Sequence, residues 1–131
     1  MADSKKILVL EDERSSALLI TKFLEKRGYE VFPSGEARFA IDLALREKPD
    51  LMIADILLPD MHGSEAVKQL KSSPITENME VLFLTSLLGK KGATDAETVL
   101  KVDGKEYPAI GKPFKPDVLS AVVDRLIGGA N

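Results

Sequence analysis

The chain has 131 residues, 44% of them hydrophobic and 30% charged, which suits one globular domain with a real core and leaves no room for two. Its formal charge of −3 gives no general attraction to nucleic acid or an anionic membrane, and the absence of cysteine excludes disulfides, thiolate metal sites and thiol catalysis. The first apolar run is too short for a signal-peptide core and no later run approaches a bilayer span, so a cytoplasmic protein without membrane insertion is expected.

In chain order, Ile7-Leu8-Val9-Leu10 reads as a buried strand ending at Glu11-Asp12. From Ser15 the spacing turns helical through Leu18, Leu19, Lys22, Phe23 and Lys26, and Gly28 closes that helix at a C′ position. Tyr29 to Phe32 is a short strand halted by Pro33, and a second helix spans Gly35 to Lys48, stopped before Pro49. Leu51-Met52-Ile53-Ala54 is another continuous apolar strand, running directly into Asp55. A third helix covers Ser64 to Lys71 with Ala66, Val67 and Leu70 inward, and Glu80 to Leu84 forms a fourth strand reaching Thr85. Gly89-Lys90-Lys91-Gly92 predicts a mobile loop, followed by a helix from about Thr94 to Val102. Tyr107 to Gly111 is a fifth strand. Pro116 to Ile127 is a closing helix with Val118, Leu119, Val122, Val123 and Leu126 on its apolar stripe and Pro116 in its first turn. A single domain over 1–131 is expected, with its core from about 5 to 127 and a disordered tail at 128–131.

Five strands alternating with five helices predict an α/β domain, a doubly wound parallel sheet covered on both faces. Such sheets place ligands beyond the C-terminal ends of their strands. Here those ends deliver Glu11-Asp12, Asp55, Thr85-Ser86 and Lys112. Two carboxylates about 5 Å apart repel by roughly 3 kcal/mol at an effective dielectric near 20, so three together call for a cation. Hard oxygen ligands in a partly open site suit Mg²⁺. A lysine beside that ion would help neutralise an incoming phosphoryl group, and a carboxylate nucleophile would form an acyl phosphate. The residues alone therefore predict a site that moves a phosphoryl group onto an aspartate.

The same residues resemble the receiver domain of two-component response regulators. The matching features are Glu11-Asp12, the run Asp55-Ile56-Leu57-Leu58-Pro59-Asp60-Met61-His62-Gly63, Thr85-Ser86 and Lys112-Pro113-Phe114, in that order and each after a predicted strand. The resemblance implies a flavodoxin-like sheet of order 2-1-3-4-5 and a phosphoacceptor, Asp55, that takes its phosphoryl group from a sensor histidine kinase or a phosphotransfer protein. It also implies that Asp12 and Asp55 hold Mg²⁺ through their side chains, Leu57 through its backbone carbonyl and Glu11 through a water. Lys112 would pair with Asp55 and then with the phosphate, Thr85 would act as a switch, and the Lys112-Pro113 peptide would be cis. An output partner would use the face formed by 86–127. No nucleic-acid contact by this domain is implied, nor any enzymatic turnover beyond self-phosphorylation from a donor and self-dephosphorylation.

Two features depart from that pattern. Ala109 stands where receivers usually carry a switch aromatic, with Tyr107 two residues earlier on the same strand face. Pro108 between them suits an edge strand, because it has no N–H to give a ladder. The 27 positions from Thr85 to Lys112 are also more than receivers usually show. These departures support an alternative, a receiver-like interaction module that works without phosphorylation. A phosphatase with an aspartyl nucleophile is disfavoured, since Leu57 occupies the position of a second, acidic aspartate. His62, the sole histidine, reads as a plain loop residue.

Overall fold

The computed structural model describes residues 4–86 and 97–128. Strands β1 (Lys6–Leu10), β2 (Glu30–Ser34), β3 (Leu51–Ala54), β4 (Glu80–Thr85), β5 (Glu97–Val102) and β6 (Lys105–Gly111) alternate for most of the chain with helices α1 (Arg14–Lys26), α2 (Ala37–Glu47), α3 (Gly63–Lys71) and α4 (Pro116–Ile127). They form one sheet of order β2-β1-β3-β4-β6-β5, in which every pairing is parallel except the antiparallel β5–β6 pair. The α/β class and the parallel 2-1-3-4 order follow the sequence expectation, with β6 in the fifth place.

The sheet is buried on both faces because its strands are apolar at successive positions, not alternate ones. Leu8, Leu10, Met52, Ala54, Val81 and Phe83 point to a layer completed by α2 and α3. Ile7, Val9, Leu51, Ile53, Leu82 and Leu84 point to the layer made by α1 and α4. Each fully buried aliphatic side chain contributes about 1.5–3 kcal/mol of transfer free energy, which makes these two layers the main source of stability. Helix α1 ends where Gly28 adopts a positive φ of 97°, a conformation that costs glycine nothing. Among the described residues, no helix is long and apolar enough to cross a membrane.

Three expectations are corrected. The strand at Tyr29 does not stop at Pro33. β2 continues to Ser34, with Pro33 opposite Val9, because β2 is a sheet edge and proline leaves its outer side unpaired. The helix expected from Thr94 to Val102 is, over Glu97–Val102, a strand that makes a hairpin with β6. Its inward-facing apolar residues, Leu100 and Val102, stand two positions apart and pack on the α2–α3 layer. Asp103 and Gly104 form a two-residue loop with φ of 55° and 81°, the pair of positive angles that a type I′ hairpin turn requires. An Asp-Gly step between apolar runs was a local signal for this hairpin. Residues 94–96, the predicted loop at 89–92 and the tail at 129–131 lie outside the described residues. Third, the sheet has six strands and β6 is not at its edge, since β5 covers it. Pro108 is accommodated because the ladder to β4 begins only at Ala109.

Candidate functional site

Backbone hydrogen bonds just beyond the strands carry the predicted site residues to one rim of the sheet. Glu11 N–H donates to the Ser34 carbonyl at 2.9 Å, Asp55 N–H to the Leu10 carbonyl at 2.9 Å and Lys112 N–H to the Thr85 carbonyl at 3.0 Å. Each bond extends a parallel ladder by one step, so β1 ends level with β2 and β3, and β6 level with β4, which runs two residues past β3. Thr85, fully buried, closes β4 opposite Gly111, one residue before Lys112.

The side chains then converge. Lys112 Nζ donates to Asp55 Oδ2 at 2.8 Å and makes a short bond to Glu11 Oε1. Glu11 Oε2 accepts the Glu13 N–H at 3.0 Å, and Asp55 Oδ1 accepts the Ile56 N–H at 2.7 Å. Leu57, in the turn after Asp55, directs its N–H to the same oxygen at 3.4 Å, and its side chain is exposed. Glu11 is 3% exposed and Asp55 8%, whereas Asp12 stands open to solvent. Burial works against the Lys112 charge, but hydrogen bonds and charge attraction from Asp55 and Glu11 outweigh it and raise its pKa.

Carboxylate oxygens of Glu11, Asp12 and Asp55 all lie within 4.8 Å of one another. Three carboxylates against one ammonium leave two negative charges uncompensated among these four side chains. Repulsion at that spacing is about 3 kcal/mol per pair in a medium of effective dielectric near 20. The donor set is all oxygen, partly exposed and over-charged, so it can hold a hard metal ion. The rim opens onto a groove lined by Asp12, Arg14, Leu18, Thr21 and Ser34, which leaves the cluster accessible from one side.

Two further residues shape the site. Asp60, in the loop after β3, accepts the Ala37 and Arg38 N–H groups at 2.9 Å each. Those two backbone bonds hold its carboxyl below the usual carboxylate range. They tie the loop to the start of α2, where α2's own N-cap residue, Glu36, makes no side-chain cap. Nothing local in the sequence marks this pairing across 23 or 22 positions. Gly63 passes so close to the chain leaving β3 that a Cβ there would sit 2.1 Å from the Asp55 carbonyl oxygen and 3.0 Å from Ile56 Cα. Here the glycine answers a close approach and not a turn.

Tyr107 is buried with Ala109 on the α2–α3 side and meets Phe83 edge-on, with ring centroids 6.0 Å apart. His62 is exposed, its Nδ1 2.9 Å from Ser64 Oγ in a contact local to the loop. The Lys112-Pro113 peptide is cis.

Comparison with known proteins now adds to this geometry. The sequence matches the family of response regulator receiver domains over residues 7–124. It is 34% identical to the alkaline phosphatase synthesis transcriptional regulatory protein PhoP of Bacillus subtilis (strain 168), over 95% of this chain and 49% of that protein. It thus spans about half the length of that relative. Sporulation initiation phosphotransferase F of the same organism is 28% identical over 95% of this chain and 94% of its own length. A putative response regulator from Chloroflexus aurantiacus J-10-fl superposes with a TM-score of 0.82 at 25% identity, covering 96% of this chain and 99% of that one. The chain belongs to the response regulator receiver domains of two-component signalling.

Proposed function

We propose that Asp55 is the phosphoacceptor of this receiver and takes its phosphoryl group from a phosphohistidine on a sensor kinase or phosphotransfer protein. The observation that carries this reading is the placement of a nearly buried Asp55 carboxylate at a strand end, 2.8 Å from the Lys112 ammonium and within 4.8 Å of two further carboxylates. In the transfer, an Asp55 carboxylate oxygen forms a bond to phosphorus while the phosphorus–nitrogen bond of the donor breaks and the imidazole leaves. Lys112 holds the carboxylate beforehand and offers its charge to the phosphoryl oxygens afterwards. Thr85, at the end of the adjacent strand, supplies a hydroxyl to the same group and acts as the switch.

Asp12 and Asp55 would hold Mg²⁺ directly, with the Leu57 carbonyl and a water on Glu11 completing the protein's share. The ion would supply the charge compensation that three carboxylates and one lysine leave open. The phosphorylated state alters partner binding through the face that includes the β5–β6 hairpin and α4. Incubation with a small phosphodonor and Mg²⁺ should add one phosphoryl group, located at Asp55 by mass spectrometry. Equal labelling of wild type and Asp55→Asn would overturn the assignment, and labelling unaffected by chelation would remove the metal from it.

A phosphorylation-independent interaction module is the second reading, supported by the hairpin in place of a helix and by Ala109. Backbone amide spectra that do not change with a phosphoryl mimic would favour it.

A further inference from the structure

The outer edge of β5 has a backbone pattern set by its neighbours. Lys112 N–H bonds to Thr85 of β4, so the backbone groups of alternate residues of β6, Ile110 and Pro108, also face β4. Those of Tyr107 and Ala109 therefore face β5, where Tyr107 is opposite Leu100 and Ala109 opposite Thr98. It follows that Glu97, Val99 and Lys101 turn their N–H and C=O groups away from β6, toward the outer side of β5. Pro108 agrees with this, because Val99 is its partner and proline could not complete a hydrogen-bonded pair. Among the described residues no strand pairs with that side of β5, and Val99 is 52% exposed.

We propose that this edge pairs antiparallel with β5 of a second copy of the chain, about a two-fold axis at Val99, joining two six-stranded sheets into one. This register uses all three outward-facing residues at once. Val99 meets its own counterpart, and Glu97 meets Lys101 of the other copy on both sides of the axis. All three side chains lie on the α4 face, so the opposite charges are direct cross-strand neighbours. Glu97 is already held in place there by Arg125 of α4, which grips it through both carboxylate oxygens. Natural sheets commonly blunt open edges with lysine. Here the lysine is matched by a glutamate at the position that self-pairing requires, so the edge is self-complementary and not blunted. Val118 and Ala121 of α4 border Glu97 on the same face, extending the contact with apolar surface.

The test is sedimentation equilibrium of the full chain and its variants, with circular dichroism to check the fold. Wild type should self-associate reversibly. Lys101→Glu and Glu97→Lys should each weaken association about tenfold, since each sets like charges opposite one another twice. An equimolar mixture of those two variants should regain the wild-type affinity, because only the mixed pair is complementary at both positions. Val99→Pro removes only an outward donor and should abolish association with the hairpin intact. The proposal is overturned by a wild-type chain that stays monomeric up to about millimolar concentration. Dimers indifferent to all three substitutions, or a charge-swapped mixture no tighter than its components, would overturn it as well.

Discussion

Replacing Lys112 by methionine keeps the aliphatic stem and removes the ammonium that touches Glu11 and Asp55. Two nearly buried carboxylates are then left facing each other without their cation. Removing one partner of a buried ion pair costs about 3–5 kcal/mol. The Lys112 side chain is 18% exposed, which admits some water and places the expected loss near the lower figure, about 3 kcal/mol. With a urea slope of about 1.5 kcal/mol per molar, the unfolding midpoint falls by about 2 M. Lys6→Met is the control, because its ammonium meets the Glu47 carboxylate at 3.5 Å and the Glu47 carbonyl at 3.3 Å in a partly exposed place, where such a pair contributes about 0.5 kcal/mol. Millimolar Mg²⁺ should recover part of the Lys112→Met loss and leave the control unchanged.

The pH dependence has a definite sign. The Lys112 pKa is raised in the folded state, so its contribution is complete below the ordinary lysine value of about 10.4 and is lost as pH rises through the higher folded value. The gap between wild type and variant should therefore hold from neutral to mildly alkaline pH and close only beyond. A midpoint change under about 0.5 M, or a change equal to that of the control, would refute the reasoning.

Gly63→Ala should lower stability by about 2 kcal/mol and slow phosphorylation, because the new methyl forces the Asp55–Ile56 backbone to move; thermal melts and phosphodonor labelling check both. Asp60→Ala should lower the melting temperature at neutral pH, with the difference disappearing in acid. The depressed folded pKa of Asp60 means that its contribution is present above the ordinary carboxylate value and lost as pH falls through the folded one. Tyr107→Ala should cost about 3 kcal/mol through the lost packing on Phe83, whereas Tyr107→Phe should keep most of the stability, as urea titrations would show.

Much of this protein is legible from sequence because its central strands are short, apolar at successive positions and immediately followed by the candidate site residues. Leu51 to Ala54 announces a doubly buried strand, and Asp55 inherits its place at the sheet rim from that strand alone. The same holds for Glu11 after β1 and for Thr85 closing β4. The hairpin was also written locally, in Asp103-Gly104 and the two-residue period of Leu100 and Val102. A helical reading of Thr94 to Val102 overrode a signal that the turn chemistry carried.

Other features exist only once the chain has crossed over the sheet. Lys112 touches Glu11 across 101 positions and Asp55 across 57, and Asp60 reaches the start of α2 across 23. No local pattern encodes such distances, because parallel strands meet only through crossover connections and side-chain pairing follows from the register they adopt. The role of Gly63 is of the same kind, set by how closely the start of α3 passes the chain leaving β3. The sequence by itself determined the α/β class and the residue types at the rim, and the family resemblance implied the order of the central strands. The tertiary structure alone decided that Lys112 bridges two carboxylates, that Tyr107 is buried against Phe83, and that β5 covers β6, with no strand on its own outer side among the described residues.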